Sequence, residues 1–579
     1  MVFVILKLYS KLFLDAFCRK MKETLHQIMT EALKEAQVNG ELRLDPFPTI
    51  TFEVPKREVQ ADLASTVAMG LATAEQRAPK QIAEIIVKRL KGHKHLIEKV
   101  EVAGPGYINF YLHKVYWYET LREVLQKGES YGQSDFGKGQ KVMVEFVSAN
   151  PTGPLHVGHG RGGAVGDVLA NLLDATGHEV WREYYVNDAG TQMEVLGRSV
   201  MLRYQSLSKS APEEVGGSLP EGCYQGEYIA EIARSMAGQV SSEVHARVKL
   251  GDSAFFGEFA KGYLLKEIQR DLQEFGVRFD TWVSERKLYD EGVVDRVLAD
   301  LRRKGYIYEK DGAEWLKTAE FGDDKDRVIR RSNEQHTYFA SDIAYHEQKF
   351  TRGFARVIDV WGADHHGYIP RMKAAVQILG RQKGDLEVLL IQLVNVLRAG
   401  KPVVMSKRGG EFVTLREVLQ EVGRDAARFI FLMRRCDSPL DFDLELAKQQ
   451  SNENPVYYVQ YAHARVCSLE EMATKQGMVI TDPSEVDLKP LELPEELTLM
   501  KQLSLYPGLV EASARFYEPH RLTFYLQELA GNLHNYYYHH RILTDNLHRS
   551  MARLVLMLGV RTVIANALRL LGVNAPKRM

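Results

Sequence analysis

Apolar residues recur along the chain with two different periods, and the exchange of one period for the other divides it into blocks. In the run MKETLHQIMTEALKEA they fall three and four apart, which predicts a helix over 24–36. Further helices are expected at 59–72 and 80–90. Alternating patterns predict strands at 49–54 and 107–112, the second introduced by Pro105 and Gly106. Residues 21–113 therefore read as a compact α+β module. From 114 to 446, apolar strand patterns alternate with amphipathic stretches. Strands are predicted at 141–148, 179–185 and 355–361, and helices at 156–176 and 368–379. Repeated strand-then-helix order is the signature of a doubly wound, Rossmann-like parallel sheet. Residues 206–226, rich in Ser, Gly, Pro and Glu, read as a surface insertion, and the mixed stretch up to about 331 as a further interruption of the sheet. Residues 423–446 read as a short helical connector. The last block, 447–579, carries few strand patterns and is expected to be an all-α helical bundle. The fold class expected is thus α/β, with an α+β domain before the parallel sheet and a helical domain after it.

Composition narrows this picture only a little. A chain of 579 residues is too long for one core and suggests three or four domains at roughly 150 residues each. The 75 basic and 76 acidic side chains nearly cancel, which neither requires nor excludes a nucleic-acid partner. Cys18, Cys223, Cys436 and Cys467 are far apart. They offer no disulfide framework and no thiolate zinc site, so a reducing cytoplasm is expected and no resident metal. No stretch reads as a membrane span, and no membrane partner is expected. Residues 1–20 are apolar but broken by Lys7, Lys11 and Asp15, with no small-residue cleavage site. They read as an extension outside the fold, with translation starting at Met21.

Candidate chemistry gathers where the first strand of the parallel sheet should end. The segment runs Ser148-Ala149-Asn150-Pro151-Thr152-Gly153-Pro154-Leu155-His156-Val157-Gly158-His159. A strand gives way to a Pro/Gly turn, and a helix opens on H-V-G-H. Ligands of open α/β sheets bind at the carboxyl ends of strands, and a helix N-terminus attracts phosphate. Gly158 leaves room for a flat base against the backbone. His156 and His159, three apart on one face, can both donate to phosphate oxygens. Chance, a structural pair and a metal pair remain the bland readings of H-x-G-H. Far downstream lies Val404-Met405-Ser406-Lys407-Arg408-Gly409-Gly410, a basic loop whose Lys407 could offset charge on a departing pyrophosphate. Taken alone, such a run is more often a solvated turn.

Together the two segments resemble the HIGH and KMSKS landmarks of class I aminoacyl-tRNA synthetases. H-V-G-H is close to the first. V-M-S-K-R matches the second in part, with Val404 where the family's first lysine would stand and Lys407 at the second. The resemblance narrows to arginyl-tRNA synthetases through V-E-F-V-S-A-N-P-T-G-P-L-H-V-G-H-G-R, through Y-Y-V-N-D-A-G-T-Q at 184–192, and through D-A-A-R at 425–428, which is similar to the DALR sequence of that family's anticodon-binding domain. It implies a class I catalytic domain with insertions, an N-terminal tRNA-binding domain, and ATP with Mg²⁺, L-arginine and tRNA(Arg) as substrates. It also implies that activation of arginine requires bound tRNA. The catalytic residues it implies are His156, His159 and Lys407, with Gly158, Met405 and Ser406 also at the nucleotide. A monomer is expected.

A guanidinium pocket needs carboxylates that accept its planar fork of donors. Tyr338 and Asp342 are four apart, so a helix would put them on one face. Glu145, near the end of the first strand, could supply a second carboxylate. The resemblance implies that Glu145 and Asp342 hold the side chain, Asn150 the α-amino group, and that Tyr338 closes the pocket. Asp364, His365 and His366 follow another predicted strand; Asp364 is taken as a substrate contact rather than a metal ligand. In the last block Tyr457, Tyr458 and Tyr461 near Arg465, and Tyr536, Tyr537 and Tyr538 near Arg541, suit stacking on unpaired bases. Any one of them is more often core. Tyr457, Tyr461 and Tyr537 are singled out for tRNA, with Met579 from an ending, A-P-K-R-M, similar to the family's C-terminus. Arg553, Arg561 and Arg569 read as a solvated stripe or backbone contacts. The rival readings are a short nucleotidylyltransferase, a non-catalytic RNA-binding relative, and a synthetase for another amino acid.

Overall fold

The computed structural model describes residues 19–53, 61–90, 96–209, 219–239, 241–403 and 412–579. Contacts divide the chain into two units. One holds the residues up to Phe136 with Tyr458–Leu570 and Asn574–Met579; the other holds Gly137–Tyr457 with Leu571–Val573.

In the first unit, helix Arg19–Val38 precedes four strands, β1 (Phe52–Glu53), β2 (Leu63–Ser65), β3 (Ile97–Ala103) and β4 (Tyr107–Leu112). They form an antiparallel sheet in the order β1-β2-β4-β3. Sequence periodicity predicted one helix over 59–72, yet 63–65 is strand and the helix is Val67–Glu75. Side chains decide this. Asp62 accepts from the Leu112 amide at 2.7 Å, and the Ser65 hydroxyl donates to the Thr51 carbonyl at 2.7 Å, so the segment is tied into the sheet. Strand β3 was not predicted. The helix Lys114–Lys127, grouped by its sequence with the parallel sheet, packs instead in this unit, where the Tyr118 hydroxyl donates to the Leu491 carbonyl at 3.0 Å.

The long helices of this unit are Pro455–Lys475 (from Tyr458 on), Pro494–Arg515, His520–His539 and Leu547–Leu570. The last is long and apolar enough to cross a membrane, contrary to the sequence expectation. Most of its side chains are buried inside the bundle, where its apolarity forms core.

The second unit is built on five parallel strands. They are β5 (Lys141–Glu145), β6 (Glu179–Val186), β7 (Thr281–Ser284) and, after a small antiparallel sheet of β8 (Ile307–Lys310), β9 (Ala313–Leu316) and β10 (Arg327–Arg330), the strands β11 (Arg356–Gly362) and β12 (Leu386–Ile391). Their order is β12-β11-β5-β6-β7. The chain leaves β5 to one side and later returns to β11 on the other, which makes the carboxyl ends of β5 and β11 a topological switch point. The predicted strand 141–148 stops at Glu145 because Val147 and Ser148 have φ of +68° and +39°, which no strand accommodates. Helices Thr191–Lys209, Glu227–Gln239 and Ser253–Glu274 interrupt the sheet between β6 and β7, with their own core around Leu196, Ile229, Ile232 and Phe256.

Beyond β12 lie β13 (Val394–Arg398), β14 (Lys401–Pro402) and β15 (Leu440–Asp443), in the order β14-β13-β15. The stretch 423–446, expected to be helical throughout, thus contains a strand. Leu440 and Phe442 alternate with charged neighbours and point into the core beside Val394 and Val396.

Candidate active site

His156 is the N-cap of helix Val157–Ala175, which begins at the switch point. Its backbone is extended, with φ −103° and ψ 172°, and its Nδ1 accepts from the Gly158 amide at 3.1 Å. The amide of His156 in turn donates to Nδ1 of His159 at 3.3 Å. The two rings stack with centroids 3.7 Å apart. Because each Nδ1 faces a backbone N–H, the proton of each neutral ring belongs on Nε2. Burial, reinforced by the neighbouring His156, pushes His159 down to about 3, so it meets a ligand as a neutral donor. Gly158 is required for this arrangement: a Cβ there would lie 2.9 Å from the His156 ring.

Met405, Ser406 and Lys407 lie outside the described residues. The chain that follows them does not. Phe412 packs edge-on against His156, with centroids 6.0 Å apart. The Val157 amide donates to the Val413 carbonyl at 3.2 Å, and the Leu415 amide to the Leu155 carbonyl at 2.8 Å. Lys407 is therefore five residues from a segment paired with the histidine turn.

On the β6 side, the Tyr184 hydroxyl donates to the Ala149 carbonyl at 2.8 Å, and the Tyr185 amide donates to Ser148 Oγ at 3.1 Å. These bonds hold the positive-φ turn. Asn150, at its tip, donates to Gln192 Oε1 at 2.7 Å. Tyr338 opens helix Tyr338–Thr351 and is 55% exposed. A Cβ on Gly190 would lie 3.2 Å from its hydroxyl. One turn on, Asp342 accepts from the Tyr368 hydroxyl at 2.5 Å, and burial raises its pKa.

Glu145 does not face the same space with open oxygens. It is buried, with Oε2 2.5 Å from Lys349 Nζ and Oε1 accepting from the Ser148 hydroxyl at 2.8 Å. Lys349 also donates to Asp359 at 2.9 Å, and His346 bridges Asp359 Oδ2 (2.9 Å) and the Asp342 carbonyl (2.7 Å). Burial opposes ionisation here, but Lys349 and His346 hold Asp359 down to about 2. This charged floor makes Glu145 a support beneath the pocket rather than its wall. Asp364 stands on the exposed turn after β11, beside His365 at 3.7 Å, with 83% of its side chain exposed. Among the described residues no group of three His, Cys, Asp or Glu could hold a metal.

The sequence reading missed Glu285. It begins the helix that follows β7, and the Ser341 hydroxyl, next to Asp342, donates to its Oε1 at 2.8 Å. Its Oε2 and the Tyr185 hydroxyl are buried with no hydrogen-bond partner. Burial, aided by Asp342 and Asp188 and opposed by the Ser341 bond, raises Glu285 to about 7. Buried polar atoms in folded proteins are nearly always paired, so two orphans beside a second carboxylate mark where a ligand's donors belong. A hydroxyl-rich acidic pocket of this kind matches a planar cation.

In the other unit, Tyr461 stacks on His534 (5.6 Å, 21°), and the Arg465 guanidinium lies 3.9 Å from the centre of the Tyr537 ring. Tyr536 is core, donating to Glu496 at 2.7 Å. Arg553 is buried against the same Glu496 and braces the bundle, contrary to the expected solvated stripe, whereas Arg561 pairs with Glu470 at the part-exposed edge and Arg569 with the exposed Glu129, as a solvated stripe would. The C-terminal residues follow helix Pro455–Lys475: Gln460 donates to the Asn574 carbonyl at 2.9 Å, and Met579 is 52% exposed. Tyr457, counted with the parallel-sheet unit, is half-buried in the first turn of that helix.

A switch-point helix that opens on stacked histidines, followed far along the chain by a segment paired back onto it, defines the class I aminoacyl-tRNA synthetases. Residues 120–435 match the model described as "tRNA synthetases class I (R), catalytic domain", residues 23–112 the "Arginyl tRNA synthetase N terminal domain", and residues 459–579 the "DALR anticodon binding domain". The chain belongs to the arginyl-tRNA synthetase family, enzymes that ligate arginine to tRNA. It is 53% identical over 559 residues to the arginine–tRNA ligase of Syntrophotalea carbinolica, covering 96% of this chain and 100% of that one. To the arginine–tRNA ligase of Citrifermentans bemidjiense it is 51% identical, with the same coverage. The arginyl-tRNA synthetase of Thermus thermophilus shares the fold, with a TM-score of 0.70 at 22% identity over 96% of this chain and all of that one.

Proposed function

We propose that ATP, as its Mg²⁺ complex, and arginine react at the turn carrying His156 and His159. The arginine carboxylate attacks the α-phosphorus in line, the bond to the bridging oxygen breaks, and pyrophosphate leaves. A carboxylate is already a nucleophile, so no general base is required, and the protein contributes orientation and charge stabilisation. The Nε2–H groups of His156 and His159 donate to the phosphates, and Lys407 balances the leaving pyrophosphate. Gly158 makes room for the nucleoside. A ribose hydroxyl at the 3′ end of tRNA(Arg) then attacks the mixed anhydride and releases AMP.

Glu285 and Asp342 hold the guanidinium, Tyr338 covers it, and Asn150 meets the α-amino group. Lysine offers a point charge and cannot bridge two carboxylates with one planar fork. Tyr461 and Tyr537, with Arg465, receive anticodon bases, and Tyr457 and Met579 lie on the same helical domain's tRNA path. We propose further that the protein works as a monomer and that it works in the cytoplasm, the latter supported by its scattered cysteines.

The observation that carries this reading is the stacked pair of imidazoles, each with Nδ1 turned to a backbone amide at a helix mouth. Its test is His159→Ala, assayed by arginine- and tRNA-dependent pyrophosphate exchange. Loss of a donor aimed at developing charge costs about 10²–10³ in rate. Exchange within threefold of the parent would overturn it.

A further inference from the structure

Arg428, in the D-A-A-R segment, is fully buried in helix Arg424–Phe431. Its guanidinium makes three bonds to three different parts of the chain. Nη2 donates to Asp167 Oδ2 at 2.5 Å, Nε to the Leu571 carbonyl at 2.9 Å, and Nη1 to the Phe275 carbonyl at 3.2 Å. The guanidinium also lies 5.4 Å from the centre of the Phe275 ring. Asp167 is on the helix that His156 caps. Leu571 and Gly572 follow the last long helix directly, and they pack in the same unit as Arg428.

The fit around the guanidinium is tight on the C-terminal side. Gly572 has φ +66°, and a Cβ there would fall 2.6 Å from Arg428 Cζ. Arg424, one turn earlier and exposed, donates to the Gly572 carbonyl at 3.0 Å. A Cβ on Gly276 would in turn fall 2.6 Å from Arg424 Cζ. Two arginines a helical turn apart thus grip the 571–572 backbone and the 275–276 turn, and one of them also grips the histidine helix.

That helix is a stiff rod. Asp167 is eleven residues from His156, about 16 Å along the axis at 1.5 Å per residue. A shift at Asp167 is therefore delivered to the imidazoles almost undamped, and misplacement of reacting groups by about 1 Å can cost on the order of 10²-fold in rate.

We propose that Arg428 is a positioning residue for adenylate formation, fixing the helix of His156 and His159 by clamping Asp167 to the Leu571–Gly572 backbone. This rests on the reading of those histidines as phosphate donors. The lysine variant keeps the charge and loses the fork, so it cannot hold all three acceptors.

The test is pyrophosphate exchange by full-length Arg428→Lys and Gly572→Ala, with kcat expressed per arginine-binding site counted by equilibrium dialysis. The expected result is a fall in kcat of about tenfold or more with the KM for arginine within about twofold, because the pocket is untouched while the donors move. The double variant should be no slower than Arg428→Lys alone, since both changes break one clamp. A kcat per site within twofold of the parent in both single variants would overturn the proposal and leave Arg428 a purely structural residue. If neither single variant folds, Arg424→Ala, at an exposed position, decides the matter: a fall of about threefold in kcat per site supports the clamp, and an unchanged kcat overturns it. His159→Ala run alongside separates the two readings. If it retains activity, the histidine assignment has failed; if it loses activity while the clamp variants do not, only the clamp has failed.

Discussion

Replacing Glu285 with Gln should make the free protein more stable and the enzyme worse, and the two effects have one cause. The carboxyl is buried, its Oε2 has no partner, and it titrates at about 7 against an ordinary value of 4.5. Its folded value is raised, so its contribution to stability is whole below about pH 4.5 and is lost as the pH climbs through 7. The loss amounts to about 3 kcal/mol at pH 8. Glutamine has the same shape and no charge to desolvate, and it can still bond Ser341. At pH 8 the variant should therefore melt several degrees higher than the parent; at pH 5 the two should agree. Arginine removes the same penalty in the parent by supplying donors to Oε2. A hydrogen bond to a charged group contributes about 1.5–3 kcal/mol, so kcat/KM for arginine should fall by roughly 10–10²-fold in the variant. In the parent, kcat/KM should drop about fivefold between pH 7 and pH 6 as Glu285 takes up a proton, and that inflection should vanish in the variant. The assays are tRNA charging from pH 5.5 to 8.5 and thermal melts with and without arginine. A variant with arginine kcat/KM within threefold of the parent, or an undiminished inflection near pH 7, would refute the placement of Glu285 in the pocket.

Other consequences follow from neighbouring groups. Lys349→Met leaves Glu145 and Asp359 buried without their shared cation and should destabilise the protein by about 3–5 kcal/mol, read by urea titration. Since His159 titrates near 3, kcat should show no inflection from it between pH 5 and 9, and one that disappears in His159→Ala would contradict the neutral-donor role. Arg465→Ala, which removes the cation beside Tyr537, should raise the KM for tRNA by about tenfold while leaving the KM for arginine unchanged; base stacking and cation–π interactions contribute about 1–3 kcal/mol. Gly166→Ala would put a Cβ 2.5 Å from Phe146 Cβ and should lower stability by about 1–3 kcal/mol in a thermal melt.

What the sequence disclosed and what it hid differ in range. The histidine turn was legible because most of what makes it is local, a strand, Pro151 and Pro154, then a capped helix, whereas the positive φ of Val147 and Ser148, set by bonds to the next strand, was not and let the predicted strand run on to 148. Tyr338 and Asp342 were legible as a helix pair. Glu285 was not, because 57 residues separate it from Asp342 and nothing near it in sequence announces a pocket; only a β-sheet that puts β7 two strands from β5 brings it there. Glu145 was read as a second carboxylate for the guanidinium because it lies near the end of a strand, but its partner Lys349 lies 204 residues on, and strand alternation alone cannot tell a pocket from the floor beneath it. The strand at 440–443 is four residues long, too short for periodicity to separate from a connector, and pairing with β13 decides it. The helix Leu547–Leu570 shows the converse: apolarity all round reads alike for a membrane span and for the centre of a bundle.

The account depends most on two carboxylates meeting one delocalised cation. Citrulline has the shape of arginine with a neutral ureido group in place of the guanidinium, so its inhibition constant against arginine in the charging reaction isolates that charge. Because a ureido group carries no positive charge and turns a carbonyl oxygen, an acceptor, to one carboxylate where the guanidinium presents donors, citrulline should bind on the order of a thousandfold more weakly than arginine. An inhibition constant within tenfold of the KM for arginine would contradict a pocket formed by Glu285 and Asp342.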